Sequence, residues 1–116
     1  MKIIVCCLGG VCRSVGLCDI LRNDHGIDAF AVGLCNTTAE GQAFLYEWAD
    51  RIIVVEPQDA ESVPEQYQET WSNAEVWNPK WDAKRKVIDI GPDVWGKARH
   101  PELRAIWKAK IDEVIG

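Results

Sequence analysis

Short apolar, β-branched runs alternate along this chain with stretches of helical periodicity, and that alternation restricts the fold more than any other feature. Lys2 to Cys7 reads as a buried strand that runs into Gly9-Gly10. From Ser14 the period changes: Val15, Leu17, Cys18 and Leu21 recur at three and four until Gly26 ends the helix. Ala29 to Leu34 is a second strand. Thr37-Thr-Ala-Glu40 has the form of a capping box, and Phe44, Leu45 and Trp48 give the helix after it one apolar face. Arg51 to Val55 is a third strand, and Val87 to Ile90 a short fourth. Pro57 to about Glu69 suggests one or two helical turns broken near Pro64. Trp71 to Lys86, which holds Trp71, Trp77, Trp81 and Pro79, reads as an irregular, partly packed loop. His100 precedes Pro101, and the proline opens a last amphipathic helix carrying Leu103, Ile106, Trp107, Ile111 and Val114.

Strands separated by helices at this spacing predict a flavodoxin-like three-layer sandwich: a four-stranded parallel sheet with helices on both faces. The 116 residues suffice for one core, so residues 1–116 are read as a single domain. Folds of this type place their sites at the carboxyl ends of the strands. The net charge of −5 offers no global field for nucleic acid or an anionic membrane, and no apolar run approaches a membrane span. Five cysteines, at 6, 7, 12, 18 and 35, are odd in number and clustered at one end, which suits reduced thiols in a cytoplasm better than a disulfide framework. Their spacing, with His25 and His100 far apart, does not suit zinc, and neither a metal nor another cofactor is expected.

The first strand-to-helix turn, Cys7-Leu-Gly-Gly-Val-Cys-Arg-Ser14, carries the chemistry. A bare C-x5-R spacing is weak on its own. Here it begins where a strand ends and closes where a helix begins. Gly9 and Gly10 allow the backbone N–H groups of Leu8, Gly9, Gly10, Val11 and Cys12 to curl inward as an anion nest. The helix beginning near Ser14 adds its positive end. Arg13 supplies a planar fork matched to phosphate, and this positive surround favours the thiolate form of Cys7, to which Ser14 can donate. A cysteine nucleophile in a phosphate-binding loop is the equipment of covalent phosphoryl transfer.

These residues resemble the loop of the low-molecular-weight protein-tyrosine phosphatases, V-C-L-G-N-I-C-R-S. Asp50-Arg-Ile-Ile-Val-Val-Glu56 and His100-Pro-Glu-Leu103 also look like a short bacterial and phage branch of that family. The resemblance implies Cys7 as nucleophile, Arg13 as phosphate clamp, Ser14 as thiolate donor and Cys12 as the second loop cysteine. It further implies an acid on the loop after the fourth strand, where the family has D-P-Y-x-G and this chain has Gly91-Pro-Asp-Val-Trp-Gly96. Asp93 is the candidate acid, with Asp89 as the alternative, and Trp95 is a candidate for stacking on a phosphoaryl ring. Gly10 replaces the family's loop asparagine, and the D-P order is lost.

The expected activity is cofactor-free hydrolysis of phosphotyrosine or a related aryl phosphate, with a phosphorylated protein as the natural partner. Arsenate reduction uses a similar loop but needs resolving cysteines downstream, and none follows Cys35. A phosphate-binding or regulatory module without turnover is the non-enzymatic alternative. Cys12 reads equally well as a packed thiol and as a redox partner of Cys7; Cys6, Cys18 and Cys35 read as core thiols. Trp48 and Trp107 belong to apolar helix faces, and Lys84-Arg-Lys86 reads as a solvated face.

Overall fold

The computed structural model describes residues 1–7, 12–33, 37–55, 84–91 and 93–116. Their order is β1 (Lys2–Cys7), α1 (Arg13–His25), β2 (Asp28–Gly33), α2 (Ala39–Trp48), β3 (Arg51–Val54), β4 (Arg85–Val87), α3 (Pro101–Ala109) and α4 (Ile111–Ile115). The four strands form one parallel sheet in the order β2-β1-β3-β4. Helices cover both faces, as a flavodoxin-like three-layer sandwich requires. No helix among the described residues is long and apolar enough to cross a membrane.

The continuous apolar runs are explained by burial on both faces. Along β1, Ile3, Val5 and Cys7 turn toward α1, α3 and α4, where Leu17, Leu21, Leu103, Trp107 and Val114 complete one core. Ile4 and Cys6 turn the other way, joining Val32, Ile52, Val54, Tyr46 of α2 and the C-cap Ala49 in a second. Burial pushes the Cys6 thiol far up and the Cys18 thiol up to about 12, so both behave as small apolar side chains.

Several local expectations change. The cap of α2 is Thr38, whose hydroxyl accepts from the Gly41 N–H at 3.1 Å, so the helix starts one residue later than a box on Thr37 implies. Phe44 is exposed, because α2 meets the core through Tyr46, with Leu45 and Trp48 packed beside it and Ala49 at its C-cap. Trp48 is only partly buried and meets the Phe30 ring edge-on, with centroids 5.4 Å apart. The fourth strand is Arg85–Val87 rather than Val87–Ile90. Its three residues are exposed, while Ile88 and Ile90 follow beyond the strand and still donate to the carbonyls of Val54 and Val55. The last helix is two, divided at Lys110. His100 caps α3, its Nδ1 accepting from the Glu102 N–H at 3.2 Å.

Lys84 and Lys86 are not simply a solvated face. Neither α2 nor α4 has a basic residue in its last turn. Lys84 Nζ instead donates to the carbonyls of Tyr46 (2.7 Å) and Glu47 (3.2 Å), and Lys86 Nζ to that of Glu113. Lys84, just before β4, and Lys86 within it thus serve the negative ends of two neighbouring helices. Leu34, Cys35, the turns expected over 57–69, and Trp71, Trp77 and Trp81 lie outside the described residues.

Candidate active site

In this strand order the chain leaves β1 and crosses to opposite sides, first to β2 and later to β3. The crevice beyond the carboxyl ends of β1 and β3 is therefore the switch point of the sheet, where such folds bind ligands. Cys7 is the last residue of β1, paired with Gly33. Arg13 is the first residue of α1. Leu8, Gly9, Gly10 and Val11 lie outside the described residues, so the site is built from what flanks them.

Cys7 Sγ and Ser14 Oγ are hydrogen-bonded at 3.0 Å in a buried contact. Ser14 is fully buried and Arg13 nearly so. Cys12 is the N-cap of α1 and makes no side-chain cap hydrogen bond, and the first turn holds no acidic residue. The positive end of a thirteen-residue helix is therefore not offset by a carboxylate of its own first turn. Arg13 is held at both ends: Nη1 donates to the Gly91 carbonyl at 2.8 Å, and its own carbonyl accepts the Trp107 indole N–H at 3.1 Å.

The loop after β4 closes over this turn. Gly91 and Gly96 have φ of 79° and 75°, left-handed values that favour glycine, and they bracket the acid-bearing segment. Among the described residues, Asp93 Oδ1 accepts from three donors: the backbone N–H groups of Trp95 (3.1 Å) and Gly96 (3.2 Å), and the Cys12 thiol at 3.3 Å. Desolvation opposes the charge on Asp93. The Gly96 N–H, the Cys12 thiol, the Trp95 N–H and the Arg13 charge together outweigh it and hold the carboxyl below its ordinary range. Cys12 moves oppositely. Desolvation first, and then the Asp93 carboxylate and Cys7, push its thiol up to about 11 against the lowering effect of Arg13. The pair is a thiol donating to a carboxylate.

The chain matches no protein-family model, no curated protein and no solved structure. The resemblance rests on the residues themselves. Cys7, Cys12, Arg13, Ser14 and Asp93 come together, although Asp93 is 81 residues from Cys12. Trp95 stands beside them, half-buried and packed against the first core.

Asp89 is a correction. It lies past the end of β4, exposed rather than inside a strand, and its Oδ1 accepts the Gly91 N–H at 2.8 Å. It shapes the turn. Three contributors were not singled out in the sequence: the Gly91 carbonyl, the Trp107 indole and Cys12 as a donor to the acid. The bracketing glycines Gly91 and Gly96 were a readable signal for the first; side-chain contacts across some 80 to 90 residues leave none. Among the described residues, no three His, Cys, Asp or Glu side chains group as a metal centre would need.

Proposed function

We propose that this chain is a cysteine-dependent phosphatase of the low-molecular-weight protein-tyrosine phosphatase type, hydrolysing phosphotyrosine or a related aryl phosphate in the cytoplasm, where thiols stay reduced. The observation that carries the reading is the double contact of the acid loop with the phosphate-loop turn: Arg13 to Gly91 and Cys12 to Asp93.

In this mechanism the Cys7 thiolate attacks phosphorus in line, forming an S–P bond as the P–O bond to the aryl group breaks. A thiolate has no proton, so the Ser14 hydroxyl is the donor across their 3.0 Å contact. Arg13 and the amino end of α1 stabilise charge on the equatorial oxygens. Asp93 gives its proton to the departing phenolate oxygen, whose conjugate acid has a pKa of about 10. Entry of a phosphoryl group carrying about −1.5 to −2 charge beside Asp93 opposes its ionised form and supplies the reason for it to take up that proton. In the second step a water molecule attacks phosphorus, Asp93 accepts the proton, and the S–P bond breaks to restore the Cys7 thiolate.

Turnover of an aryl phosphate, measured with and without chelator, tests the reading. Activity should be insensitive to chelator, competitively inhibited by vanadate, abolished in Cys7→Ser and severely impaired in Arg13→Lys, where a point charge replaces the fork. Cys6→Ser should keep much of the activity. Saturable phosphate binding without hydrolysis would replace the enzyme by a binding module, and arsenate-dependent thiol oxidation without it would point to arsenate reduction.

A further inference from the structure

We propose that Cys12 is the positioning residue of the acid: its thiol, donating to Asp93 Oδ1, clamps the acid loop onto the phosphate-binding turn and leaves Oδ2 as the oxygen that carries the transferred proton. The inference rests on the phosphatase reading and extends it to a residue that resemblance casts only as a second loop cysteine.

Three donors converge on one oxygen of the Asp93 carboxylate, at 3.1, 3.2 and 3.3 Å. Two are backbone N–H groups of the same loop, so they shape the loop without fixing it to anything else. Among the described residues, the Cys12 thiol is the donor that comes from outside that loop. An oxygen already accepting three hydrogen bonds is a poor site for a proton, so protonation goes to Oδ2. The reciprocal chemistry agrees. Cys12, raised by burial and by the Asp93 charge facing it, stays a thiol at neutral pH and keeps its proton to donate. Among the described residues, the charged and titratable groups facing Asp93 are Cys12 and Arg13 from the start of α1, with Cys7 behind Cys12. Arg13 steadies the same loop through the Gly91 carbonyl, two residues before Asp93.

The test compares Cys12→Ala, which removes the donor, with Cys12→Ser, which keeps one. Two readouts are taken: carboxyl carbon NMR titration of Asp93, its resonance assigned by its loss in Asp93→Asn, and kcat on a phenolic phosphate. In Cys12→Ala the Asp93 midpoint should rise toward the ordinary aspartate value, and kcat should fall roughly tenfold, the scale of one hydrogen bond to a charged group. Cys12→Ser should restore both. Adding Cys12→Ala to Asp93→Asn should cost nothing further, because the residue acts through the acid. An active wild type with an unmoved midpoint in Cys12→Ala, or Cys12→Ser as impaired as Cys12→Ala, or a full additional loss in the double variant, overturns the assignment to Cys12. A wild type inactive on every aryl phosphate overturns the phosphatase reading itself, whatever the titration shows.

Discussion

Two aspartates follow β4, and their hydrogen bonds separate their roles. Asp89 accepts one N–H within its own turn, a contact that an asparagine carbonyl reproduces. Asp93 accepts N–H groups in the same manner but also meets Cys12 at the start of α1. Asp93→Asn should therefore keep the loop and lose the proton. A general acid contributes about 10²–10⁴-fold, and its help grows as the leaving group worsens. We expect Asp93→Asn to slow phosphotyrosine hydrolysis by about that factor and a phosphate of an acidic phenol much less. Asp89→Asn should match wild type in turnover and thermal stability. Rates over a series of aryl phosphates decide the matter: a leaving-group dependence that steepens in Asp89→Asn instead would move the acid to that residue. The likeness of Asp93-Val-Trp-Gly96 to an acid loop was readable in sequence. The turn bond of Asp89 was not, because the β-branched residues around it mimic a strand.

At the scale of elements, α1 positions Arg13 and Ser14 and must lie close to the turn before α3. Gly16 allows this. A Cβ there would stand 2.8 Å from the Ala98 carbonyl oxygen and 3.1 Å from Leu103 Cδ2. Two effects oppose each other in Gly16→Ala: helix propensity favours alanine by about 1 kcal/mol, whereas overpacking costs roughly 1–3 kcal/mol. The nearer clash is with backbone, which cannot swing aside, so we expect net destabilisation, a lower melting temperature and reduced turnover as Arg13 shifts. A melting temperature at or above wild type would show that α3 can yield. The glycine was visible in the sequence, but its reason was not, since no helical period reports the approach of a second helix. The central strands β1 and β3 were legible because burial on both faces leaves unbroken apolar runs, and β2, though at an edge and partly exposed, still carries an apolar stretch from Ala29 to Val32. β4 was not, because its edge position lets Arg85 and Lys86 serve as strand residues. The same limit hid Tyr46, whose polar tip disguises a fully buried side chain, and promoted Phe44, whose apolar character says nothing of its direction.

For the whole molecule, two separate carboxylate ties at α1, one through Asp19 and one through Asp93, make stability depend on acid pH. Asp19 of α1 accepts from Arg104 of α3 (2.7 Å), from Arg99 of the preceding turn (3.0 Å), and from Asn23 (2.7 Å). Desolvation works against its charge, but the two guanidinium groups and Asn23 prevail, and its carboxyl lies below the ordinary range. Asp93, which joins the acid loop to the start of α1, is lowered too. A group depressed in the folded state binds fewer protons there than in the unfolded chain, so stability rises with pH between the two values. The contribution is complete above the unfolded aspartate value of about 3.9 and is lost as pH falls through the folded one. Melting temperatures should therefore be flat from pH 7 to about 5 and drop steeply below about 4. Asp19→Asn removes one of the two sources. It should lower the melting temperature at pH 7 by a few degrees, about 1 kcal/mol for a partly exposed ion pair, and the gap to wild type should narrow as both are taken into acid. Raising salt should narrow it as well, because Arg99 is largely exposed and its attraction is screened. A gap that stays constant from pH 7 to 3 would mean that Asp19 acts through packing alone, and the acid sensitivity would then rest on Asp93 and the site.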